Sequence, residues 1–327
     1  MRTLLAGTLL VGTLLAACSP ASGAPSSGSP SSVVTPGGEP SLVRLAGPRQ
    51  AADLDVMTFN IQDSQILGID RYTSSGRRAA VAQVVADERP DVIGTQEMTA
   101  GQAEDLRADL ARAGVRYTWY GRPRVSDIDR PGVDFNETVA VFWDPAVLAD
   151  LGRGDLWFCP PDVVPTQGCV DSGPGWTAGD PRMATWVRLR HKGSGAEVVV
   201  VNTHLDAASA QARERGAEVV QDAVERLFPA LPVLLTGDFN SGPDAAPHRV
   251  LTEAGWVDTW TTAARTGPAW STFNRFDRRA PLPGPRIDRI YARPGLPVVA
   301  AAVNTYRSPA GVLPSDHYPV LIRVRLP

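Results

Sequence analysis

Cysteine and histidine are scarce in this chain, with three and four copies among 327 residues. There is no CxxC pair and no Cys/His spacing of the zinc-binding kind, which argues against a structural zinc. No serine sits in a Gly-x-Ser-x-Gly elbow and no cysteine has the neighbours of a catalytic thiol, so the common covalent hydrolases are disfavoured. The formal net charge is only −3. Composition therefore gives no support for charge-driven nucleic-acid binding, although a local basic patch is compatible with it. The apolar run at the N-terminus, Leu4 to Ala17, covers about 14 residues, too few for a stable membrane span. No internal repeat is visible, and no second low-complexity break follows the first.

What is present starts at that N-terminus. MRTLLAGTLLVGTLLAAC has one Arg, an apolar stretch and small residues before Cys18, the pattern of a short signal sequence. Leu15-Ala16-Ala17-Cys18 resembles a bacterial lipobox, which implies a lipid on Cys18 as the mature first residue. Secretory cleavage near Ala17 is the alternative. Lipidation would place the protein, exported, on the outer face of the bacterial cell membrane. Residues 19–52 open with SPASGAPSSGSPSSVVTPGGEP, rich in Ser, Pro and Gly and nearly uncharged, and are expected to be a flexible tether. One folded domain is expected over 53–327. Cys159 and Cys169 bracket CPPDVVPTQGC; a disulfide closing that loop fits an oxidising compartment. It would contribute about 2–3 kcal/mol in the chain-entropy account.

Short Val/Ile/Leu-rich runs bounded by Gly, Pro or Asp predict strands at 54–61, 91–97, 137–144, 183–190, 197–205, 232–240, 286–293 and 318–326. Helices are expected at Arg77 to Glu88, stopped by Arg89-Pro90, at Thr99 to Ala113, and at Ser209 to Leu227. Several strands follow one another with no room for a helix, so paired sheets with helices outside are expected rather than a βαβ repeat.

VLLTGDFNSG (233–242) ends an apolar run with Asp238 and Asn240 two apart, and alternation along a strand would aim both at one spot. Asn202 and His204 repeat the pattern in VVVVNTHLD. Asn60 ends VMTFN, Glu97 ends VIGTQE, Asp288 interrupts IDRIY, and Ser315-Asp316-His317 precedes the last strand. A single such residue is usually a turn former or a satisfied buried group. Together they are costly to bury without a shared cleft. Hard oxygen donors from Glu97, Asp238, Asp316, Asn60 and Asn240 favour Mg²⁺ or a similar ion, with Mn²⁺ or Ca²⁺ as substitutes. Histidines beside them can hold a phosphate oxygen or exchange a proton near neutral pH. The combination suits water attacking a phosphate ester.

The series TFN, TQE, NTHLD, GDFN, RIDRIY and SDHYPV resembles the endonuclease/exonuclease/phosphatase superfamily over roughly 54–326. The resemblance implies a DNase I-like α/β fold: a four-layer α/β/β/α sandwich with the site where loops meet at one end. It also implies roles. Glu97 ligates the metal with Asn60 beside it and Asp316 nearby. His204 bonds the scissile phosphate, Asp238 orients or deprotonates water, Asn240 binds phosphate, and Asp288 pairs with His317. Which histidine is the acid stays open. Arg182 is a phosphate ligand or a loop brace, and Asn136 or Glu137 is a candidate phosphate contact. His191 and His248 belong to no motif. Arg275, Arg278, Arg279 and Arg286 could draw in an anion, but a solvated loop is the commoner meaning of such a run.

The expected activity is divalent-metal-dependent hydrolysis of a phosphodiester or phosphomonoester, with a nuclease favoured over a phospholipase C-like or sphingomyelinase activity and an inositol-phosphate phosphatase. The substrate is a nucleic acid, a lipid head group or a sugar phosphate. A monomer with no obligate protein partner is expected. A dinuclear metallophosphoesterase would need more histidines than the four present. A binding lipoprotein that had lost activity would be expected to lack a motif residue, and none is missing.

Overall fold

Runs such as VVVV in 198–201 and LLTG in 234–237 have apolar side chains on both faces, so they must be covered on both sides. The computed structural model does this by stacking two sheets and covering each outer face with helices. It describes residues 41–63, 65–66, 69–124, 137–159, 176, 181–277 and 279–327, all within one compact unit. The signal sequence, Cys18, Asn136, Cys169 and Arg278 lie outside the described residues.

In chain order the first elements are α1 (Ser41–Ala46), β1 (Asp53–Asn60), the short β2 (Gln65–Ile66) and β3 (Ile69–Asp70), α2 (Arg71–Ser74) and α3 (Arg77–Glu88). Then come β4 (Val92–Thr99), α4 (Ala100–Arg112), β5 (Thr118–Tyr120), β6 (Glu137–Trp143), β7 (Leu148–Trp157), β8 (Met183–His191) and β9 (Glu197–His204). The remainder are α5 (Ala210–Leu227), β10 (Val233–Asp238), α6 (Ala246–Glu253), β11 (Val257–Asp258), α7 (Thr259–Thr262), β12 (Asp288–Ala292), β13 (Val298–Val303) and β14 (Val320–Arg325).

Each of the two stacked sheets has six strands, in the orders β13-β14-β1-β4-β6-β5 and β11-β12-β10-β9-β8-β7, and β2 and β3 form a separate two-stranded pair. Leu54, Val56, Val200, Leu234 and Ile322 meet in the core between the sheets. A second cluster joins the first sheet to α3 and α4 through Val81, Val85, Leu106 and Leu110, and a third joins the second sheet to α5 through Val220 and Val224. This is the four-layer sandwich that the motifs imply. Among the described residues no helix is long and apolar enough to cross a membrane.

The sheets approach closely where Gly94 faces Thr236 and Asn202; a Cβ there would lie 2.1 Å from Thr236 Oγ1. Asn202 bridges the layers, donating to Thr95 O at 2.8 Å and Ala140 O at 3.0 Å and accepting from Gln96 Nε2 at 2.7 Å. Its polarity is consumed by sheet stacking, so it does not share the role of His204.

One boundary is corrected. Residues 41–52 were expected in the tether, yet Ser41–Ala46 is helical, with Leu42 in the core and Ser41 N donating to Glu88 Oε2 at 2.9 Å. Leu42 and Leu45 give this piece the apolar area that the Ser/Pro/Gly stretch before it lacks. Cys159 is disulfide-bonded.

Candidate active site

The parallel pairs β1/β4 and β9/β10 point their C-terminal ends the same way within each sheet. Asn60, His204 and Asp238 are the last residues of β1, β9 and β10. Asp238 is in register with His204 on one side and with Asp288, first residue of the antiparallel β12, on the other. Polar termini collect at one end because strand direction puts them there.

Two residues arrive by a different route from the one strand alternation predicts. β10 stops at Asp238, and Asn240 has φ 49°. Its N–H donates to Asp238 Oδ1 at 2.8 Å, folding the chain back so that Asn240 Nδ2 meets His204 Nε2 at 3.0 Å and Leu205 O at 3.0 Å. Glu97 sits in a register break of β4, between Thr95 and Met98, with φ 56°. The bulge aims its carboxylate at the site. Gln62, two residues past Asn60, has φ 57°. Left-handed backbone at non-glycine residues costs about 1–3 kcal/mol each and persists only where surroundings enforce it.

Those surroundings are a dense network. Asn60 Nδ2 donates to Glu97 Oε1 at 2.8 Å and Asp238 Oδ2 at 3.0 Å. Gln62 Nε2 holds Asp316 Oδ2 at 2.8 Å, and Ser315 Oγ donates to Asn60 O at 2.7 Å. Arg77, buried at the start of α3, donates to Ile61 O, to Gln62 O at 3.1 Å and to Pro314 O at 3.0 Å, stitching the loop after β1 to the loop before β14. Thr99 and Gln102 form a capping box on α4, and Gln102 Nε2 also donates to Gln62 O at 3.1 Å.

Glu97, Asp238 and His317 each offer a ligand atom within 4.8 Å of the others. His317 Nδ1 faces Asp288 Oδ2 at 2.9 Å, and its Nε2 lies 3.8 Å from Asp238 Oδ2. His204 Nε2 lies 3.7 Å from the same oxygen. Burial alone would lower the His317 pKa, but the Asp288 and Asp238 carboxylates override it and raise it to about 10. His204 moves the other way, well below the usual range, through burial and then the charges of Arg182, Arg124 and His317. Burial, then the charge of Asp288, pushes Asp238 up to about 7. Asp316 is likewise raised by burial and by Glu97, against the pull of His317.

Carboxylates that resist ionising together mark a place where a cation would relieve them. The donors fit a hard divalent ion: carboxylate oxygens of Glu97 and Asp238, with Asp316 beside Glu97. His317 fits the ion less well, since a ligating imidazole must be unprotonated.

The remaining candidates separate. Arg182 is buried, with Nε 3.8 Å from Asp206 Oδ2. That pairing braces the loop after β9, and the Arg182 charge is among those that lower the His204 pKa. Glu137 opens β6 and its carboxylate is committed to Arg124. No motif marks Arg124; its only signal in the sequence is proximity to Glu137 in a Pro/Arg-rich segment. Gln62, Arg77 and Phe273, whose ring lies 4.8 Å from that of His317, were also unforeseen. His191 contacts Ser194, and His248 is held by Ser241 and Tyr291, outside the site.

The sequence model of the Endonuclease/Exonuclease/phosphatase family matches residues 57–317. The chain belongs to that family. Endonuclease/exonuclease/phosphatase proteins are phosphoric ester hydrolases that depend on divalent metal, and this member is such a hydrolase. It is similar to a family protein from Bacteroides thetaiotaomicron, with TM-score 0.70 and 28% identity over 84% of this chain and 98% of that one. A mannosyl-6-phosphatase from the same organism aligns with TM-score 0.69 and 28% identity over 83% of this chain and 99% of that one. The human Nocturnin catalytic domain shares the fold, with TM-score 0.64 and 17% identity over 88% of this chain and 100% of that one. Comparison with curated protein sequences gave no match.

Proposed function

We propose that this family member is a Mg²⁺-dependent phosphodiesterase, tethered outside the cell by a lipid on Cys18. The observation that carries the catalytic part is Asp238: its Oδ2 lies 3.7 Å from His204 Nε2 and 3.8 Å from His317 Nε2, next to Glu97. A carboxylate between two imidazoles and a second carboxylate has the parts for activating water beside a bound phosphate.

Glu97 would hold the ion, oriented by Asn60 Nδ2, with Asp238 and Asp316 completing the oxygen donors. Bound there, the ion supplies Lewis-acid stabilisation of charge developing on the phosphate oxygens. Asp238 accepts the proton of the attacking water. His317, fixed by Asp288 and protonated, offers Nε2–H to a phosphate oxygen. Asn240 Nδ2 and His204 line the second side, with Arg182 behind them.

A diester is favoured over a monoester by the charge balance around the site. Arg124 faces Glu137, Arg182 faces Asp206 and His317 faces Asp288, so each cation has a carboxylate beside it. The remaining positive charge suits a monoanion better than a dianion. Within diesters, nucleic acid is the leading substrate. A sugar-phosphate monoesterase is the second reading, favoured by the likeness to the mannosyl-6-phosphatase at 28% identity.

The test is hydrolysis of bis-p-nitrophenyl phosphate, DNA, RNA, sphingomyelin and mannose 6-phosphate with Mg²⁺, before and after EDTA. Diester cleavage abolished by EDTA and restored by Mg²⁺ is expected. Faster turnover of mannose 6-phosphate would overturn the diester reading, and indifference to EDTA the metal. For the tether, C18S should move the protein from the membrane fraction to the soluble one; unchanged fractionation would remove the anchor.

A further inference from the structure

Of the arginine-rich run that precedes β12, the described members have separate fates. Arg279 pairs with Asp277 at 2.7 Å, and Arg286 lies 3.4 Å from Asp258 and over the ring of Trp260. Both charges are answered locally. Arg275 is exposed, and among the described residues no carboxylate lies within ion-pairing distance of it. Its guanidinium sits 5.0 Å from the Phe273 ring centroid, and that ring lies 4.8 Å from the ring of His317. A cation is therefore stacked one aromatic ring away from a candidate catalytic imidazole.

The backbone holding it is built for that placement. Arg275 and Phe276 both have φ 55°, a conformation that L side chains adopt at a cost. Several bonds enforce it. Asp316 O accepts from Asn274 N at 2.7 Å and from Arg275 N at 3.1 Å, so the turn is fastened to the very residue that precedes His317. Asn274 Oδ1 accepts from Phe276 N at 2.8 Å, and Asn274 Nδ2 donates to Ser315 O at 3.1 Å. Phe276 in turn covers the guanidinium of Arg77 at 5.6 Å. A solvated arginine on a free loop needs none of this.

We infer that Arg275, presented by Phe273, binds a second phosphate of the substrate, adjacent to the one being cleaved. This rests on the phosphodiesterase reading and sharpens it: the preferred substrate carries at least two phosphate groups, as a nucleic-acid strand does. A guanidinium over an aromatic ring can still use its N–H edge to bind a phosphate, and its planar fork suits that group.

The experiment compares wild type, R275G and R275K on oligothymidylate, on fructose 1,6-bisphosphate and on bis-p-nitrophenyl phosphate, which has one phosphate. Glycine accepts the positive φ, so R275G should melt no lower than wild type. For R275G, KM on oligothymidylate should rise about 5–20-fold with kcat within about twofold, and the bis-p-nitrophenyl phosphate constants should not move. R275K, retaining charge without the planar stack, should recover part of the loss. The slope of log kcat/KM against log salt for oligothymidylate should shrink by about 0.7. A KM shift seen with fructose 1,6-bisphosphate instead would support the second-phosphate role and assign it to a small bisphosphate. Equal shifts on bis-p-nitrophenyl phosphate, or none on any substrate, would overturn it. Binding of labelled oligothymidylate without metal, read by anisotropy, separates the two ideas. If no diester is cleaved, the phosphodiesterase reading fails. If R275G then binds as tightly as wild type, the Arg275 inference fails as well.

Discussion

At the start of β1, Asp53 and Asp55 are buried, as is Asp91 just before β4. Each meets a guanidinium. Arg323 grips both oxygens of Asp55 at 2.7 and 2.9 Å and donates to Gly47 O, Arg325 Nε reaches Asp53 at 3.0 Å, and Arg49 bonds Asp91. At the other end of the same strand, Asn60 leads into Glu97, Asp238, Asp288 and Asp316, where carboxylates face amides, imidazoles and one another. Arg77 there spends its bonds on backbone carbonyls rather than on those acids. Among the described residues Asp288 Oδ1 has no hydrogen-bond partner. Two buried polar clusters thus share a strand and differ in one property. The first closes on itself, while the second is left with an excess of acid that an outside cation can answer. Burying charge is tolerable when partners are complete, and incomplete partners point to a ligand.

The comparison can be broken at either end. The larger effect is expected at the closed cluster. R323M leaves Asp55 buried without its bidentate partner, which should destabilise the fold by about 3–5 kcal/mol in urea unfolding. Turnover per folded molecule should stay near wild type. A fall in kcat without loss of stability would show that the closed cluster is not merely structural. The smaller effect in free energy is expected at the open cluster. H204A should cut kcat at least about 100-fold, roughly 2.7 kcal/mol in the barrier, while the melting temperature moves little. Near-normal kcat in H204A would remove His204 from the proposed machinery. A large loss of stability would make the two ends alike.

Much of the framework was legible in advance because local pattern and tertiary role agreed. The eight predicted strand segments all contain observed strands, and α3, α4 and α5 begin and end within a residue or so of the expected positions. The strands that were missed lack that agreement. β7 reads LADLGRGDLW, with two glycines and mixed burial along an edge, and β13 reads VVAAAV, whose alanines carry little strand preference. α1 was hidden by the Ser/Pro/Gly stretch before it. In the site, Asn60, Glu97, His204, Asp238, Asp288 and His317 could be named from short motifs. Gln62 could not, because its partner Asp316 is 254 residues away in sequence. Arg77 and Phe273 act through backbone carbonyls and ring contacts that no motif records.

By itself the sequence determined which segments must be strands and helices, since burial on one face or two imposes a period on the side chains. It also determined the stock of hard oxygen donors and imidazoles from which a phosphoesterase site could be built. Only the tertiary structure decided that Asn202 staples the sheets while His204, two residues on, enters the site. It alone decided that Glu97 and Asn240 arrive through left-handed turns rather than strand alternation, and that among the described residues no carboxylate pairs with Arg275. The reason is physical: a polar group's role depends on which partners satisfy it, and those partners come from distant parts of the chain that meet only when the sheets close.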